Sequence, residues 1–321
     1  MSAESTLDGK TASTPAPPSF RFPTLTTTVP KEFVHRAAVA EVMLTDWKRK
    51  DDLHFEVTAQ WPRGHSFFSP IGEHHDPLLA AETIRQIGSL LAHAEFGVPL
   101  GHHFLMWDLE YAVDPDQLRI GNAPAALDID VVCTEVKRRG GSLTGLRYET
   151  VIRRNGQVAV TGSASYTCTT PAVYRRLRAG RGLSGGRAQL PLTAPTSPQS
   201  VGRMSPIDVV LSPVGEARRW QLRADTRHHV LFDHPVDHVP GMVLVEAARQ
   251  AAAAVLGQSD LLPIGIASDF SRYAELTAPC MIEARRLADA GADGRQAVLV
   301  TGHQEGAPVF TSTVTAPSPT R

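Results

Sequence analysis

One apolar segment of the chain carries ionisable side chains that could do chemistry. It opens with Pro240-Gly241, and from Met242 to Leu256 its only polar side chains are Glu246, Arg249 and Gln250. At about 100° per residue these three fall on one stripe of a helix. A helix that is otherwise apolar is buried, so the stripe predicts ionisable groups in the interior. A buried glutamate can act as a base, and an arginine can bind a phosphate or a carboxylate in bidentate fashion.

The same pattern occurs earlier in the chain. His75-Asp-Pro, a short apolar run and Glu82-x-x-Arg85-Gln86 lie over His238-Val-Pro-Gly and Glu246-x-x-Arg249-Gln250 with one residue of slip. Upstream, His65-Ser-Phe-Phe68 echoes His229-Val-Leu-Phe232. A structural alternative is that each Glu and Arg simply pair along the helix, worth about 0.2–0.5 kcal/mol at an exposed site. Repetition of the stripe in equivalent places favours a functional role.

Backbone and histidine groups beside the stripes are further candidates. The Gly241 N–H stands at a helix start, where it can point at a developing oxyanion. His75 and His238 precede the two helices, and we expect them to fix these loops or to take part in catalysis. None of the 13 histidines has a His-x-x-x-His helix or a supporting Cys pattern, so we expect neither a metal nor another cofactor.

Each half of the chain is predicted to contain one long helix followed by four strands. The helices are Pro77–Phe96 and Met242–Leu256, and Asn155-Gly156 predicts a tight hairpin. The strands after the helices are predicted near residues 104–113, 126–136, 143–153 and 158–169, and near 265–273, 280–287, 296–301 and 308–315. One helix with so many strands must be wrapped by the sheet. We therefore predict an α+β fold of two such repeats, with their sheets paired edge to edge.

Composition sets the domain boundaries and the class of protein. Residues 1–29 form a predicted disordered tail, 30–175 the first domain, 176–204 a linker rich in Arg, Gly and Pro, and 205–317 the second domain. The net charge of −1 gives no basic footprint for nucleic acid. No run approaches 18 apolar residues, so no membrane span is expected. Three dispersed cysteines predict a reducing, cytoplasmic setting.

These motifs resemble a known family. Asp233-His-Pro-Val-Asp-His-Val-Pro-Gly-Met-Val-Leu-Val-Glu-Ala-Ala-Arg-Gln250 is similar to the AfsA (A-factor biosynthesis) family, and the likeness extends to Phe67-Phe, His75-Asp-Pro and Glu82-x-x-Arg-Gln86. The resemblance covers roughly residues 30 to 317 and implies a double hotdog fold. It also implies an enzyme that joins a β-ketoacyl group, from acyl carrier protein or CoA, to dihydroxyacetone phosphate. The product would be a precursor of a butyrolactone, butenolide or furan signal.

The resemblance also implies roles for residues. The glutamate of the first helix and the arginine of the second are the residues that matter in the family, which points to Glu82 and Arg249 in a site between the halves. Glu246 is a second candidate base, and Gly241 is the oxyanion donor. We expect the halves to form a pseudo-dimer within one chain, and a homodimer is compatible with this. The predicted substrate-binding residues are Arg85, Gln86, Gln250, His238, His75 and Phe232.

Three other functions remain open at this point. Hotdog dehydratases carry a catalytic His eight residues before the Pro of the helix-start Pro-Gly, and here Phe232 holds that place. A thioesterase is the related alternative, and a non-catalytic acyl-binding module is the third. The linker arginines could be a solvated segment or could meet an acidic carrier protein; they are Arg175, Arg176, Arg178, Arg181 and Arg187.

Overall fold

The first half of the chain forms a helix wrapped by antiparallel strands. The computed structural model describes residues 26–179, 181, 188–288 and 294–318. The elements of the first half are β1 (Leu44–Arg49), β2 (His54–Trp61), α1 (Leu78–Ala94), β3 (His103–Val113), β4 (Ala125–Arg139), β5 (Ser142–Arg154), β6 (Gln157–Thr169) and the short α2 (Pro171–Leu177). Burial alternates along β2 and β4, because successive strand side chains point to opposite faces of a sheet covered on one side.

The second half repeats this order with shorter leading strands. Its elements are β7 (Leu211–Pro213), β8 (Arg219–Leu222), β9 (His238–Val239), α3 (Gly241–Leu256), β10 (Gly265–Phe270), β11 (Ala274–Glu275), β12 (Cys280–Arg286), β13 (Arg295–Gln304) and β14 (Ala307–Pro317). The sequence predicted the long strands and both long helices. It did not predict β9, β11 or α2, which are too short to show a period.

The two halves share one continuous sheet. Its twelve strands run in the order β1-β2-β4-β5-β6-β3-β10-β14-β13-β12-β8-β7, with β9 and β11 forming a separate pair. The halves join where β3 pairs antiparallel with β10, from Gly265 opposite Ala112 to Asp269 opposite Asp108. The predicted α+β double hotdog and its edge-to-edge pairing are confirmed.

The long helices are enclosed by the sheet, as their apolar composition requires. Tyr148 on β5 and Tyr166 on β6 donate hydrogen bonds from their side chains to the α1 carbonyls of Ile84 and Gly88, each at 2.7 Å. A Cβ on Gly88 would lie 2.6 Å from the Tyr148 hydroxyl, so a glycine is required at this close approach. None of the helices in the described ranges is long and apolar enough to cross a membrane.

The structure changes two details of the predicted repeat. His65 accepts hydrogen bonds from the N–H groups of Phe67 and Phe68, and His228, not His229, makes the same pair with Val230 and Leu231. The upstream motif is therefore offset by one residue from the predicted match. Within the predicted linker, Pro198–Val201 forms a turn of 3-10 helix that packs on α3, so this stretch belongs to the second repeat.

Candidate active site

A fully buried glutamate stands at the centre of the first repeat. Glu82 on α1 has no exposed surface and accepts hydrogen bonds from Arg36, Arg85 and Gln86 at 2.6 to 3.0 Å. Burial alone would raise the pKa of this carboxyl. The charges of Arg36 and Arg85 outweigh it and lower the pKa to about 2. These four residues, called the Glu82 cluster (Glu82, Arg36, Arg85, Gln86), therefore form an ion-pair network in which Glu82 is ionised at neutral pH.

The second repeat contains the same network. Glu246 on α3 is fully buried and accepts hydrogen bonds from Arg203 at 2.6 and 2.7 Å and from Arg249 at 3.0 Å. Gln250 donates to the same carboxylate at 2.5 Å. Here too the arginines outweigh burial and lower the pKa to about 2. This Glu246 cluster (Glu246, Arg203, Arg249, Gln250) matches the Glu82 cluster member by member.

Each cluster also holds the other half. Arg36 donates to the carbonyl of Val230 at 3.0 Å, and Arg203 donates to the carbonyl of Phe67 at 2.6 Å. The two carbonyls occupy the equivalent loops that follow His228 and His65. The arginines therefore link the two repeats by hydrogen bonds at two equivalent places.

The side chains of the two glutamines form hydrogen bonds with backbone groups in the interior. Gln86 accepts from the Met43 N–H at 2.9 Å and donates to the Glu41 carbonyl at 2.7 Å. Gln250 does the same for the Val210 N–H and the Asp208 carbonyl. Both side chains are fully buried, so the structure does not place them where a substrate could meet them.

Beside the Glu82 cluster lies a cavity of about 520 Å³ between the halves. This volume falls within the range of small-molecule sites. Arg36 and Arg85 form part of its wall, together with Gly241 at the start of α3. Its apolar lining comes from both halves: Phe104, Leu105, Met106, Leu109, Val230, Leu231, Phe232, Met242, Leu244, Val245 and Phe270.

A pair of histidines lies on the cavity side of α1. His35 lines the cavity, and its Nε2 is 2.7 Å from Nε2 of His93. His93 Nδ1 is in turn 2.7 Å from the carbonyl oxygen of Val98. His35 also packs against the ring of Phe104 at a centroid distance of 4.6 Å. A hydrogen-bonded chain therefore runs from the carbonyl of Val98 through His93 to His35 at the cavity.

A second polar group borders the cavity near the start of α3. His238 Nδ1 lies 2.8 Å from Asp237, whose carboxylate also accepts from Tyr174 at 2.6 Å. Arg178 pairs with Asp237 and Glu275 and is only 4% exposed, so it is neither a solvated linker residue nor free to bind a carrier protein. Burial alone would raise the pKa of Asp237. Its contacts with His238, Tyr174 and Arg178 outweigh burial and lower the pKa.

Several predicted site residues line this cavity. They are Arg85, Gly241, Phe232 and His238, and their role in a site between the halves stays a prediction. Phe232 is nearly buried there, and its apolar ring offers no base where the dehydratases carry their histidine.

The other predicted residues lie elsewhere. Arg249 is 1% exposed and contacts Glu246, so the predicted partnership of Glu82 with Arg249 across the halves is not formed. Glu246 has no access to the cavity. His75 is 2% exposed and packs against Trp61 in the interior, and burial lowers its pKa to about 4.

The sequence reasoning missed residues that complete the site. Arg36 and Arg203 are distant in sequence from the glutamates they bind, and no helical period connects them. A signal did exist, because Pro30-Lys-Glu-Phe-Val-His-Arg36 and Pro198-Gln-Ser-Val-Gly-Arg203 share a Val-x-Arg ending after a proline. His35 lies inside this motif, but the equivalent position in the second repeat is Gly202, so the repeat did not mark the histidine itself. We find no repeated pattern that marks Arg272.

Comparison with known proteins agrees with the fold and with the motif. A family model described as A-factor biosynthesis hotdog domain matches residues 20–170 and 186–318. A protein of Streptomyces virginiae named 2-oxo-3-(phosphooxy)propyl 3-oxoalkanoate synthase is 56% identical over 287 residues, which cover 89% of this chain and 96% of the relative. A Streptomyces coelicolor protein with the same name is 43% identical over 291 residues, covering 90% and 92%.

Among solved structures, a protein described as a thioesterase from Novosphingobium aromaticivorans superposes with a TM-score of 0.50 at 12% identity. The match covers 85% of this chain and 98% of that protein, and it shows the shared fold alone. With two matched domains and relatives identical at 41 to 56% of positions, this chain belongs to the AfsA family of A-factor biosynthesis hotdog proteins.

Proposed function

We propose that this protein transfers a 3-oxoacyl group from a thioester to the primary hydroxyl of dihydroxyacetone phosphate. The product is a 2-oxo-3-(phosphooxy)propyl 3-oxoalkanoate, the compound for which the relatives from two Streptomyces species are named. The observation that carries this proposal is the cavity between the halves. One part of it is lined by apolar side chains that can contact an acyl chain, and another part is lined by arginines and by Gly241 at the start of α3.

The apolar part of the cavity suits the acyl chain. Phe104 and Leu109 from the first half face Leu244 and Phe270 from the second across the seam. Burying an alkyl chain there contributes about 0.8 kcal/mol per CH₂ group. Because both halves supply the lining, the site requires the two repeats together.

The polar part of the cavity suits the phosphate. Arg36 and Arg85 are both bound to the carboxylate of Glu82, and Arg36 also lies 3.9 Å from Asp233. Arg272 lines the same cavity and, among the described residues, has no carboxylate partner. It is therefore the arginine with its guanidinium still available for the dianion, which it can bind with two parallel hydrogen bonds.

The start of α3 suits the thioester carbonyl. Gly241 is the first residue of the helix, and no side chain caps the helix end. An N–H in this position has no partner within the helix and points along the helix dipole. It can stabilise the negative charge that develops on the carbonyl oxygen when the alcohol attacks.

The ester formed here is arranged for ring closure. The methylene between its two acyl carbonyls is acidic, and its carbon can attack the ketone of the dihydroxyacetone unit. That bond closes a five-membered lactone ring, and loss of water gives a butenolide. We propose acyl carrier protein as the donor of the acyl group, which places the reaction in the cytoplasm with both substrates.

The test is a product analysis. Purified protein is incubated with a 3-oxoacyl carrier protein and dihydroxyacetone phosphate, and the mixture is followed by mass spectrometry. We expect the phosphorylated ester and free carrier thiol in equal amounts. Release of the free 3-oxo acid without ester would identify a thioesterase, and binding of the acyl carrier without turnover would identify an acyl-binding module. Either result would contradict the proposal.

A further inference from the structure

The position of His35 is fixed by the Glu82 cluster. Arg85 donates to the carbonyl of Val34 at 3.1 Å, and Arg36 is bound to Glu82. The residue between them, His35, adopts a left-handed conformation with φ 53°. That conformation turns the imidazole away from the network and into the wall of the cavity. The buried ion pairs therefore hold a titratable ring at the substrate side.

The hydrogen-bond chain sets the tautomers of both rings. A carbonyl oxygen can only accept, so His93 Nδ1 carries the proton that bonds Val98 at 2.7 Å. Neutral His93 then has its lone pair on Nε2, and the Nε2–H of His35, 2.7 Å away, must be the donor. The lone pair of His35 is consequently on Nδ1. That atom has no hydrogen-bond partner within the described part of the chain.

The surrounding protein keeps His35 neutral. Burial is the largest cause, followed by the positive charge of Arg85 and by His93, His234 and His103, and together they lower its pKa to about 3. Asp233, a carboxylate of the second half that lines the same cavity, is itself paired with His234 and Arg36. A phosphate dianion bound in the cavity adds negative charge nearby, which favours the imidazolium once the substrate is present.

We propose that His35 is the general base of the transfer and that His93 is its positioning residue. This inference rests on the proposed function. His35 Nδ1 takes the proton of the dihydroxyacetone phosphate hydroxyl while the oxygen forms a bond to the thioester carbon. The tetrahedral oxyanion faces the Gly241 N–H. As it collapses, the C–S bond breaks, and the thiolate takes the proton back from His35. The ester and the thiol are the products.

The second repeat shows that the histidine chain is not needed to build the framework. Gly202 holds the place of His35, with φ 68°, and Gly257, directly after α3, holds the place of His93. Arg249 still donates to the carbonyl of Val201, at 3.5 Å, and also to that of Gly202, at 3.3 Å. A Cβ on Gly202 would lie 2.8 Å from the Ser259 carbonyl oxygen, so no side chain fits there. The two histidines are an addition made only at the repeat that borders the cavity.

Glu82 is the other candidate base, and its environment argues against it. The carboxylate has no exposed surface, and its oxygens accept hydrogen bonds from Arg36, Arg85 and Gln86. A group so enclosed cannot reach a substrate hydroxyl. Its contribution is to hold Arg36 and Arg85, and through them the segment that carries His35.

The experiment combines two substitutions of His35 with chemical rescue. His35→Gly keeps the left-handed conformation and leaves a space, and His35→Asn keeps it with a side chain that cannot act as a base. We expect kcat to fall at least about 100-fold in both variants, the size of a typical general-base contribution. KM should stay within a few fold. Added imidazole should restore part of the activity of His35→Gly and none of His35→Asn.

The second substitution tests the positioning role. His93→Phe keeps the ring packing against Phe104 but removes the acceptor for His35. We expect kcat to fall about tenfold with KM unchanged, with no rescue by imidazole because the base is still present. The matched control is His54→Ala, at an exposed histidine that contacts Asp51, and it should behave as the wild type.

The possible failures can be told apart. If the wild-type protein forms no phosphorylated ester, the proposed function is wrong and this inference falls with it. If the wild type is active and both His35 variants keep its kcat within twofold, the inference alone is overturned. The same holds if imidazole stimulates His35→Gly no more than His54→Ala.

Discussion

The molecule contains one buried ion-pair network twice, and the Glu82 copy borders the cavity between the halves. Both networks hold a fully buried glutamate between two arginines and a glutamine. They differ in enclosure. The side chain of Arg85 is 18% exposed and faces the cavity, whereas that of Arg249 is 1% exposed. In the second repeat, the ring of Phe67 also covers Arg203 at 4.1 Å.

The residues around the two networks explain this difference in use. The open side, where the Glu82 cluster borders the cavity, has His35, His93 and the N–H of Gly241. The closed side, at the Glu246 cluster, has Gly202, Gly257 and Pro77 in the equivalent places. Pro77 has no N–H. Each change removes a group to which the proposed mechanism gives a role. The Glu-x-x-Arg-Gln motif is thus the structural element common to the repeats, and the proposed chemistry uses residues that the repeats do not share.

The largest expected effect is on stability. Removing one partner of a buried ion pair costs about 3–5 kcal/mol, because the remaining charge stays buried without compensation. We expect Glu246→Gln to lower the free energy of unfolding by this amount. Glu82→Gln should cost less, since Arg85 can turn towards water in the cavity. Urea unfolding followed by circular dichroism measures both values. Equal losses would mean that the two networks are equally closed.

The pH dependence of unfolding gives an independent measure of the same pairs. The pKa of each glutamate is lowered from an ordinary 4.5 to about 2, so the unfolded chain binds more protons than the folded one between these values. Stability from the pairs is therefore complete above about pH 4.5 and is lost as the pH falls towards 2. Glu246→Gln should flatten this dependence, and a curve as steep as that of the wild type would contradict the assignment.

The next effect concerns the helix starts. Gly241→Pro removes the proposed oxyanion donor while keeping a residue that the first position of a helix accepts. We expect kcat to fall by about 100- to 1000-fold, the loss found when one such donor is removed. Pro77→Ala is the matched change at the closed side and should leave kcat unaltered. If both variants keep the wild-type kcat, the N–H of Gly241 has no part in the reaction.

A smaller effect is expected at the unpaired arginine. Every arginine of the two networks is bound to a carboxylate, but Arg272 is not bound to one among the described residues. Arg272→Ala should raise KM for dihydroxyacetone phosphate about 10- to 100-fold, from the loss of a charged hydrogen bond of about 1.5–3 kcal/mol. KM for the thioester should not change. A rise for both substrates would point to a distorted cavity.

The sequence predicted the fold well because each long element carried a local signal. The stripe of α3 and its counterpart in α1 appear at a helical period, and the Asn155-Gly156 hairpin has its own turn residues. The site was predicted only in part. Nothing local distinguishes Arg85, which faces a cavity, from Arg249, which is sealed, since each follows its glutamate in the same way. That difference arises from loops that are distant in sequence and meet only after folding, such as the loop of Arg203 and the loop of Phe67.

The smallest expected effect concerns the approach to the open side. The helix α2 places Tyr174 at the cavity, while Arg175 and Arg176 are exposed and have no ion pair in the described ranges. Beside them Val173 and Leu177 expose 41% and 57% of their surface. An acidic carrier protein docked there could deliver its thioester directly into the cavity, and opposite charges would speed its association.

Reversing both charges, in Arg175→Glu/Arg176→Glu, should raise KM for the carrier-bound substrate about tenfold and leave kcat unchanged. The wild-type preference should itself weaken with salt, because exposed charges are screened. KM for a short thioester without a carrier protein is the control and should not move. Of the other linker arginines, Arg181 is exposed and can be added to the reversal, whereas Arg187 lies outside the described residues. An equal rise of KM for both thioesters would mean that α2 shapes the cavity and does not meet the carrier.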